Sequence, residues 1–197
     1  MKANLCNGVE EYELKIKGEV TIKIDDRIVA ECENKWTKYF MASLVETVGW
    51  MGRPAQESYA YTIRSPTARV GTDTTTTTSV DMTDLAQKID IAPSSVTRKW
   101  IRDTDKWRWI AQFEFIWNPN VLPSTTIGEA GVWFESSSGD WSSPYNRGTG
   151  YVHIASFLYN AALRLCVRVS VADGDFSPID YVYTQTLSFV WRLIIQP

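Results

Sequence analysis

The segment that most constrains the fold of this chain is Lys106–Trp117, KWRWIAQFEFIW. Every second residue in it is aromatic or apolar, whereas most of the residues between them are charged or amide side chains. Because side chains alternate between the two faces of a β-strand, this pattern predicts a strand with one aromatic face. A large aromatic ring removes roughly 150–250 Å² from water when it is buried, so such a face requires a facing layer. We therefore predict the central strand of a β-sandwich, with six inward-facing residues: Trp107, Trp109, Ala111, Phe113, Phe115 and Trp117.

Further segments of alternating apolar and polar residues, separated by Gly, Pro, Asn and Asp, predict about nine antiparallel strands. The last of them, Thr184–Ile195, places Trp191 on its inward face. One α-helix is predicted after an N-terminal β-hairpin, because Asn34 suits the N-cap and apolar residues follow at helical spacing. The predicted fold class is therefore mainly β, an antiparallel sandwich with one N-terminal helix. Residues 1–33 form an arm and the hairpin, and residues 34–197 form the helix and the sandwich, within one compact domain.

The composition of the chain limits the kinds of partner that it can bind and the compartments in which it can be made. The 197 residues have a formal net charge of -3, which argues against nonspecific nucleic-acid binding as the main task. No apolar run suits a signal peptide or approaches the ~20 residues of a membrane-spanning helix. The three cysteines are widely spaced and odd in number, which favours free thiols and synthesis in a reducing cytoplasm.

The sequence contains few residues that suggest catalysis. His153 is the only histidine, so a site with two histidine ligands or a multi-histidine proton relay is excluded. No nucleophile elbow, phosphate-binding loop or paired-cysteine zinc motif occurs, and we predict no enzyme activity, no metal site and no cofactor. Aspartates cluster at 173–175 and at Asp73, Asp81 and Asp84. Such oxygen-rich loops can hold calcium, but ordinary turn aspartates are the favoured interpretation.

Six short segments stand in an order that resembles a family of virion proteins from tailed phages and related archaeal viruses, usually described as tail-fibre or phage structural proteins. The resemblance covers roughly residues 34–195, and Asp73 stands where this family usually has glycine. The segments are GTDTT at 71–75, DL at 84–85, EAGVWF at 129–134, LCVR at 165–168, FSPI at 176–179 and LSFVWRLII at 187–195. Set among these segments, the aromatic strand is expected to pair with Thr125–Phe134 and Thr184–Ile195.

The resemblance implies a non-catalytic virion structural protein, made in the host cytoplasm and located in the virion at the tail, baseplate, fibre or capsid. Its partners would be other virion proteins and further copies of itself, without nucleic acid or membrane. Aromatic side chains typical of interfaces are candidates for these contacts. They are Trp36, Tyr39, Trp50, Trp141 and Tyr145, the last two in the Ser- and Gly-rich stretch 135–150.

The loop aromatics also permit an alternative, in which they stack on sugar rings in a carbohydrate-binding or receptor-binding module. Two further residues are assigned architectural roles. A buried Glu129 would accept backbone hydrogen bonds where a strand bends, and Gly131 would allow close backbone approach or a bulge.

Overall fold

A computed structural model of the protein describes residues 2–3, 12–13, 15–40, 64–104, 107–135 and 164–197. Residues 38–40 are helical, and every described strand pair is antiparallel. The strands are β1 (Lys2–Ala3), β2 (Tyr12–Glu13), β3 (Lys15–Ile24), β4 (Arg27–Glu33), β5 (Lys35–Trp36), β6 (Arg64–Gly71), β7 (Lys88–Ile89), β8 (Ser95–Asp103), β9 (Arg108–Trp117), β10 (Thr125–Ile127), β11 (Glu129–Glu135), β12 (Arg164–Ser170), β13 (Ile179–Tyr181) and β14 (Leu187–Gln196).

Two five-stranded sheets form the body of the fold. Sheet I has the order β4-β3-β14-β9-β8 and sheet II the order β5-β12-β11-β6-β7, while β1–β2 and β10–β13 are separate two-stranded pairs. One buried apolar cluster contains side chains from both sheets, including Phe115 and Phe189 of sheet I and Val132 and Val167 of sheet II. The predicted mainly β, antiparallel sandwich is therefore confirmed.

Strand β14 lies at the centre of sheet I. It pairs in unbroken register with β3, from Leu187↔Ile24 to Gln196↔Lys15, and with β9 on its other side. Asp25 and Asp26 turn the chain from β3 into β4 with φ values of 49° and 64°, the left-handed pair that a two-residue hairpin favours. The N-terminal hairpin is thus an integral part of the sandwich.

The aromatic strand differs from its prediction at one end. Strand β9 begins at Arg108, and its face is buried from Ala111 through Phe113 and Phe115 to Trp117. Trp109 lies on the same face but is 55% exposed, and Trp107 precedes the strand at φ 49° and is 72% exposed. The prediction that both tryptophans face the core was wrong, because the facing layer covers this face only from Ala111 onwards.

The predicted pairing of this strand is confirmed for Thr184–Ile195 and wrong for Thr125–Phe134. Strand β9 pairs with β14 and β8, both in sheet I. The segment expected beside it, Thr125–Phe134, is divided at Gly128 into β10 and β11, and β11 lies in sheet II between β12 and β6. A single strand pattern in the sequence therefore contributes to two different parts of the fold.

The helix begins later than predicted. Asn34 is not an N-cap, because residues 35–36 form β5, which pairs with Val167 and Arg168 of β12. The amide of Asn34 accepts a hydrogen bond from the Trp191 indole at 3.1 Å, and a buried partner of this kind outweighs local capping preference. The helical residues start at 38, and the remainder of the predicted helix lies outside the described residues.

The outer face of sheet II is also covered. The segment 72–87 runs across it, and Leu85 forms a second buried cluster with Trp133 and Leu165, against which Met82 packs. Strand β12 is consequently buried on both faces. In the described residues no helix is long and apolar enough to cross a membrane.

Candidate functional site

Two features stand out as candidate sites, and the first is a buried cluster of charges around Arg168. This arginine lies in the middle of β12 and is 0% exposed. Its Nε and Nη2 donate to Glu129 Oε2 at 3.0 and 2.8 Å. Its Nη1 donates to Thr78 Oγ1 at 3.0 Å and to Ser170 Oγ at 3.2 Å, and lies 3.4 Å from Asp173 Oδ2.

Glu129 links this cluster to the segment that covers sheet II. It is 0% exposed, and its carboxylate accepts the backbone N–H groups of Ala86 and Gln87 at 3.2 and 2.7 Å. These are hydrogen bonds of the kind expected for it from the sequence. A Cβ added at Gly71 would lie 2.5 Å from Glu129 Oε1, so a glycine is required where the strand β6 passes the carboxylate.

Asp173 and Asp73 complete the cluster. Asp173 accepts hydrogen bonds from the backbone and hydroxyl of Thr78 and from Ser170 Oγ at 2.7 Å. Burial acts to raise the pKa of Asp173, but these hydrogen bonds and Arg168 outweigh it and hold the pKa below its usual value. Burial likewise opposes ionisation of Asp73, and hydrogen bonds from Thr75 and Thr76 lower its pKa in the same way.

Asp175 behaves differently from these two. Burial raises its pKa, and the neighbouring charge of Asp173 adds to the effect, although the backbone N–H of Ser170 donates to it at 2.9 Å. No group of three or more potential metal ligands occurs among the residues that the structure describes. The carboxylates of the cluster accept hydrogen bonds from protein donors, so the arrangement stabilises the fold.

The other turn aspartates take part in surface contacts. Asp81 pairs with Lys38 at 2.7 Å and Asp84 pairs with Lys88 at 2.7 Å. The first pair is exposed and the second half-buried at the surface, and the contribution of such surface ion pairs to stability is small.

The second feature is an exposed group of aromatic and basic side chains at one edge of sheet I, which we call the aromatic edge. Strand β8 is the outermost strand there, and seven of its nine residues are exposed. Trp100 is 79% exposed and makes an edge-to-face contact with Phe113, at 6.5 Å between ring centroids. Arg102 lies over the ring of Trp109 at 4.9 Å.

Trp107 adjoins these residues at the turn that joins β8 to β9. Tryptophan and arginine are the side chains most enriched at the centres of protein–protein interfaces. Water-exposed tryptophan rings in such a group are rare on a surface that has no partner. The aromatic edge is therefore the candidate contact surface.

Two of the interface residues predicted from the sequence lie away from the aromatic edge. Trp36 is half-buried, with its ring stacked on Phe40 at 3.9 Å and edge-on to Trp191 at 6.2 Å. Tyr39 is also half-buried and packs against the core. Both side chains thus contribute to the sandwich itself. Trp50, Trp141, Tyr145 and His153 lie outside the described residues, as does most of the stretch 135–150.

The structure places the architectural residues within the sandwich. Phe113, Phe115, Trp117 and Trp191 are buried. A Cβ added at Gly131 would lie 2.5 Å from Leu165 Cδ1, so the close approach expected at this glycine is present.

Sequence reasoning overlooked Arg168 and Trp100. The signal for Arg168 was a single charge inside the apolar run LCVRVS, since a buried arginine requires a carboxylate partner. The signal for Trp100 was weaker. The segment VTRKWIRD places basic and aromatic residues on one face, which is unusual for a strand that contributes to a core.

Comparison with known proteins gives one informative similarity. The chain is 33% identical over 126 residues to an uncharacterized protein, ORF274, of Acidianus filamentous virus 1. The match covers 61% of this chain and 43% of the relative, so the chain spans less than half of the relative's length. No family model and no solved structure matches the chain. The similarity relates the chain to a viral protein and does not indicate a function.

Proposed function

We propose that the protein is a non-catalytic structural component of a virus particle, acting through protein–protein contacts in a tail, baseplate, fibre or capsid-associated position. The observation that carries this proposal is the aromatic edge. Three tryptophans that are 79%, 72% and 55% exposed lie on β8, in the turn that follows it and on β9. Covering them with a partner would release water from a large apolar area.

The similarity to a protein of an archaeal virus supports the viral part of this proposal. The buried charge cluster supports the non-catalytic part, because its carboxylates are occupied by Arg168, by hydroxyl groups and by backbone N–H groups. A sandwich that is stabilised by these buried contacts can support the aromatic edge in one position.

The test is to purify particles of the encoding virus and measure the copy number of this protein by quantitative mass spectrometry. We expect a fixed number of copies per particle, with density for the sandwich in a reconstruction of the particle. Recovery of the protein from infected cells but not from purified particles would contradict the proposal.

The part played by the aromatic edge is tested by Trp100→Ala/Trp109→Ala, which we expect to reduce incorporation into particles. Tyr183→Ala is the matched control, because Tyr183 is a 51% exposed aromatic residue away from this edge. If instead the protein bound a glycan on an array and Trp109→Ala removed that binding, the carbohydrate-binding alternative would replace this proposal.

A further inference from the structure

We propose that copies of this protein join through the two edges of sheet I, with the basic edge β8 of one copy beside the acidic edge β4 of the next. The inference rests on the proposed assembly function and names the surfaces and the partner, a second copy of this chain. It follows from the shape of the two edges and from their opposite charges.

Strand β8 is a long and regular edge. It pairs with β9 without a register shift from Ser95↔Ile116 to Asp103↔Arg108, and none of the described strands pairs with its other side. It contains no proline and no bulge. Natural proteins usually protect such edges, because the outward N–H and C=O groups can pair with a strand of another chain.

Strand β4 is the opposite edge of the same sheet. It pairs with β3, and within the described part of the chain no strand lies on its other side. Ile28 and Val29 are 54% and 36% exposed, and Glu31 and Glu33 are exposed beyond them. An apolar and acidic surface therefore borders this edge.

The charges of the two edges are complementary. Strand β8 carries Arg98, Lys99 and Arg102, with Asp103 already paired to Arg108 at 2.9 Å. Strand β4 begins with Arg27 and carries Glu31 and Glu33, the latter paired to Lys17 at 2.8 Å, and it follows the turn aspartates 25 and 26. Like charges on facing strands repel, so β8 against β8 and β4 against β4 are both disfavoured, whereas β4 against β8 is favoured.

The register of sheet I places Lys99 of β8 and Glu31 of β4 on the same face, whereas Arg98 and Arg102 lie on the other face of β8. Lys99 pairs with Gln112, whose neighbours Ala111 and Phe113 face the core, so Lys99 is on the outer face. Glu31 pairs with Thr21, between the buried Val20 and Ile22, and is therefore on the outer face as well. A sheet that continues from one copy into the next brings these opposite charges to one surface.

A contact between two different edges is heterologous, so each copy retains one unused edge. Successive strands of sheet I are antiparallel, and β4 and β8 consequently run in the same direction. Repetition of such a contact gives a closed ring or an open filament according to the rotation between copies.

The experiment uses one variant for each edge of the full-length protein. Lys99→Glu/Arg102→Glu makes β8 acidic, and Val29→Lys/Glu31→Lys makes β4 basic. All four side chains are exposed, and circular dichroism with thermal melting verifies that each variant folds. Sedimentation velocity then measures the size of the wild type, of each variant alone and of an equimolar mixture of the variants.

We expect the wild type to form concentration-dependent oligomers, and each variant to associate at least about tenfold more weakly. The mixture should associate again, because both contacts between unlike variants, intact β4 with intact β8 and basic β4 with acidic β8, join opposite charges. Wild-type association should also weaken at high salt, since the attraction between exposed charges is screened. Protection of the β4 and β8 backbone amides from hydrogen exchange in the oligomer would show that the contact between copies is at these two strands.

Several results would overturn the inference. Dimers of the β4 variant alone would indicate β8–β8 pairing, and dimers of the β8 variant alone would indicate β4–β4 pairing. A wild type that is monomeric at all concentrations, or that pairs its β8 edge with an acidic peptide or an oligonucleotide instead, would also contradict it. If particles nevertheless contained the protein as isolated copies, the proposed function would stand and this inference would fail.

Discussion

At the scale of single residues, Arg168 is the most consequential side chain of the described structure. Removing a guanidinium from water costs several kcal/mol in a protein interior. Arg168 offsets this cost with two charge-assisted hydrogen bonds to Glu129 and with contacts to Thr78, Ser170 and Asp173. Glu129 in turn holds the backbone of residues 86 and 87, so one ion pair connects β12, β11 and the segment that covers sheet II.

We expect Arg168→Leu to lower the free energy of unfolding by about 3–5 kcal/mol, because it leaves the carboxylate of Glu129 buried without its cation. Arg168→Leu/Glu129→Gln should recover part of this loss, since glutamine keeps an acceptor for the backbone N–H groups and carries no charge. Guanidinium denaturation of both variants measures the difference. A double variant less stable than Arg168→Leu would show that the carboxylate is not the origin of the cost.

At the scale of elements, β3 passes very close to the chain that follows it in sequence. Its Gly18 lies within the strand, whose register with β14 is unbroken at this residue. A Cβ at this position would overlap the side-chain oxygen of Asn34 and lie 2.7 Å from the Trp36 ring. The glycine therefore makes room for Asn34, which accepts the indole N–H of Trp191.

We expect Gly18→Ala to destabilise the protein by roughly 2–4 kcal/mol, because Asn34 must move and the buried indole N–H loses its acceptor. Gly174→Ala is the matched control. Gly174 has φ 76° with no atom within 4 Å of an added Cβ, so alanine there costs only backbone strain of about 1–2 kcal/mol. Chemical denaturation compares the two variants. An equal loss at both positions would refute the steric explanation.

The strands also show which features of the fold can be predicted from the sequence and which cannot. Period-two alternation predicted β9 and β14 because each has one apolar and one polar face. Alternation contains no information about where the facing layer ends, and this is why Trp107 and Trp109 were placed in the core. The backbone pairing of Lys35 in β5 with Arg168 in β12 cannot be predicted from local patterns either, since it joins residues far apart in the chain.

The candidate contact surface illustrates the same limit. The aromatic surplus of the chain indicated interfaces, but Trp36 and Tyr39 pack within the fold while Trp100 is exposed. Exposure depends on which strand is the last in its sheet. That position is set by long-range pairing, which a single sequence does not contain.

At the scale of the whole molecule, stability depends on carboxylates that are ionised in the folded state. The pKa values of Asp73 and Asp173 are lowered by their hydrogen bonds, despite burial, whereas burial raises the pKa of Asp175. A lowered pKa stabilises the fold above the unfolded value of about 3.9, and this stabilisation is lost as the pH falls through the folded pKa. The raised pKa of Asp175 acts in the opposite direction, because acid relieves the cost of its buried charge.

Two carboxyl groups, those of Asp73 and Asp173, have lowered pKa values, and only that of Asp175 has a raised one. We therefore expect the free energy of unfolding to fall as the pH drops below about 4. Asp173→Asn should cost roughly 1–3 kcal/mol at neutral pH, because it weakens hydrogen bonds from Thr78 and Ser170 to a charged acceptor. Below pH 4 the free energy of unfolding of Asp173→Asn should decrease less than that of the wild type, because the variant lacks the carboxyl group of residue 173 that takes up a proton there. Asp175→Asn is the matched control, and its effect should be smaller or stabilising at neutral pH. Urea denaturation between pH 2 and 7 measures all three proteins, and parallel pH profiles for the wild type and Asp173→Asn would exclude Asp173 as a source of the acid sensitivity.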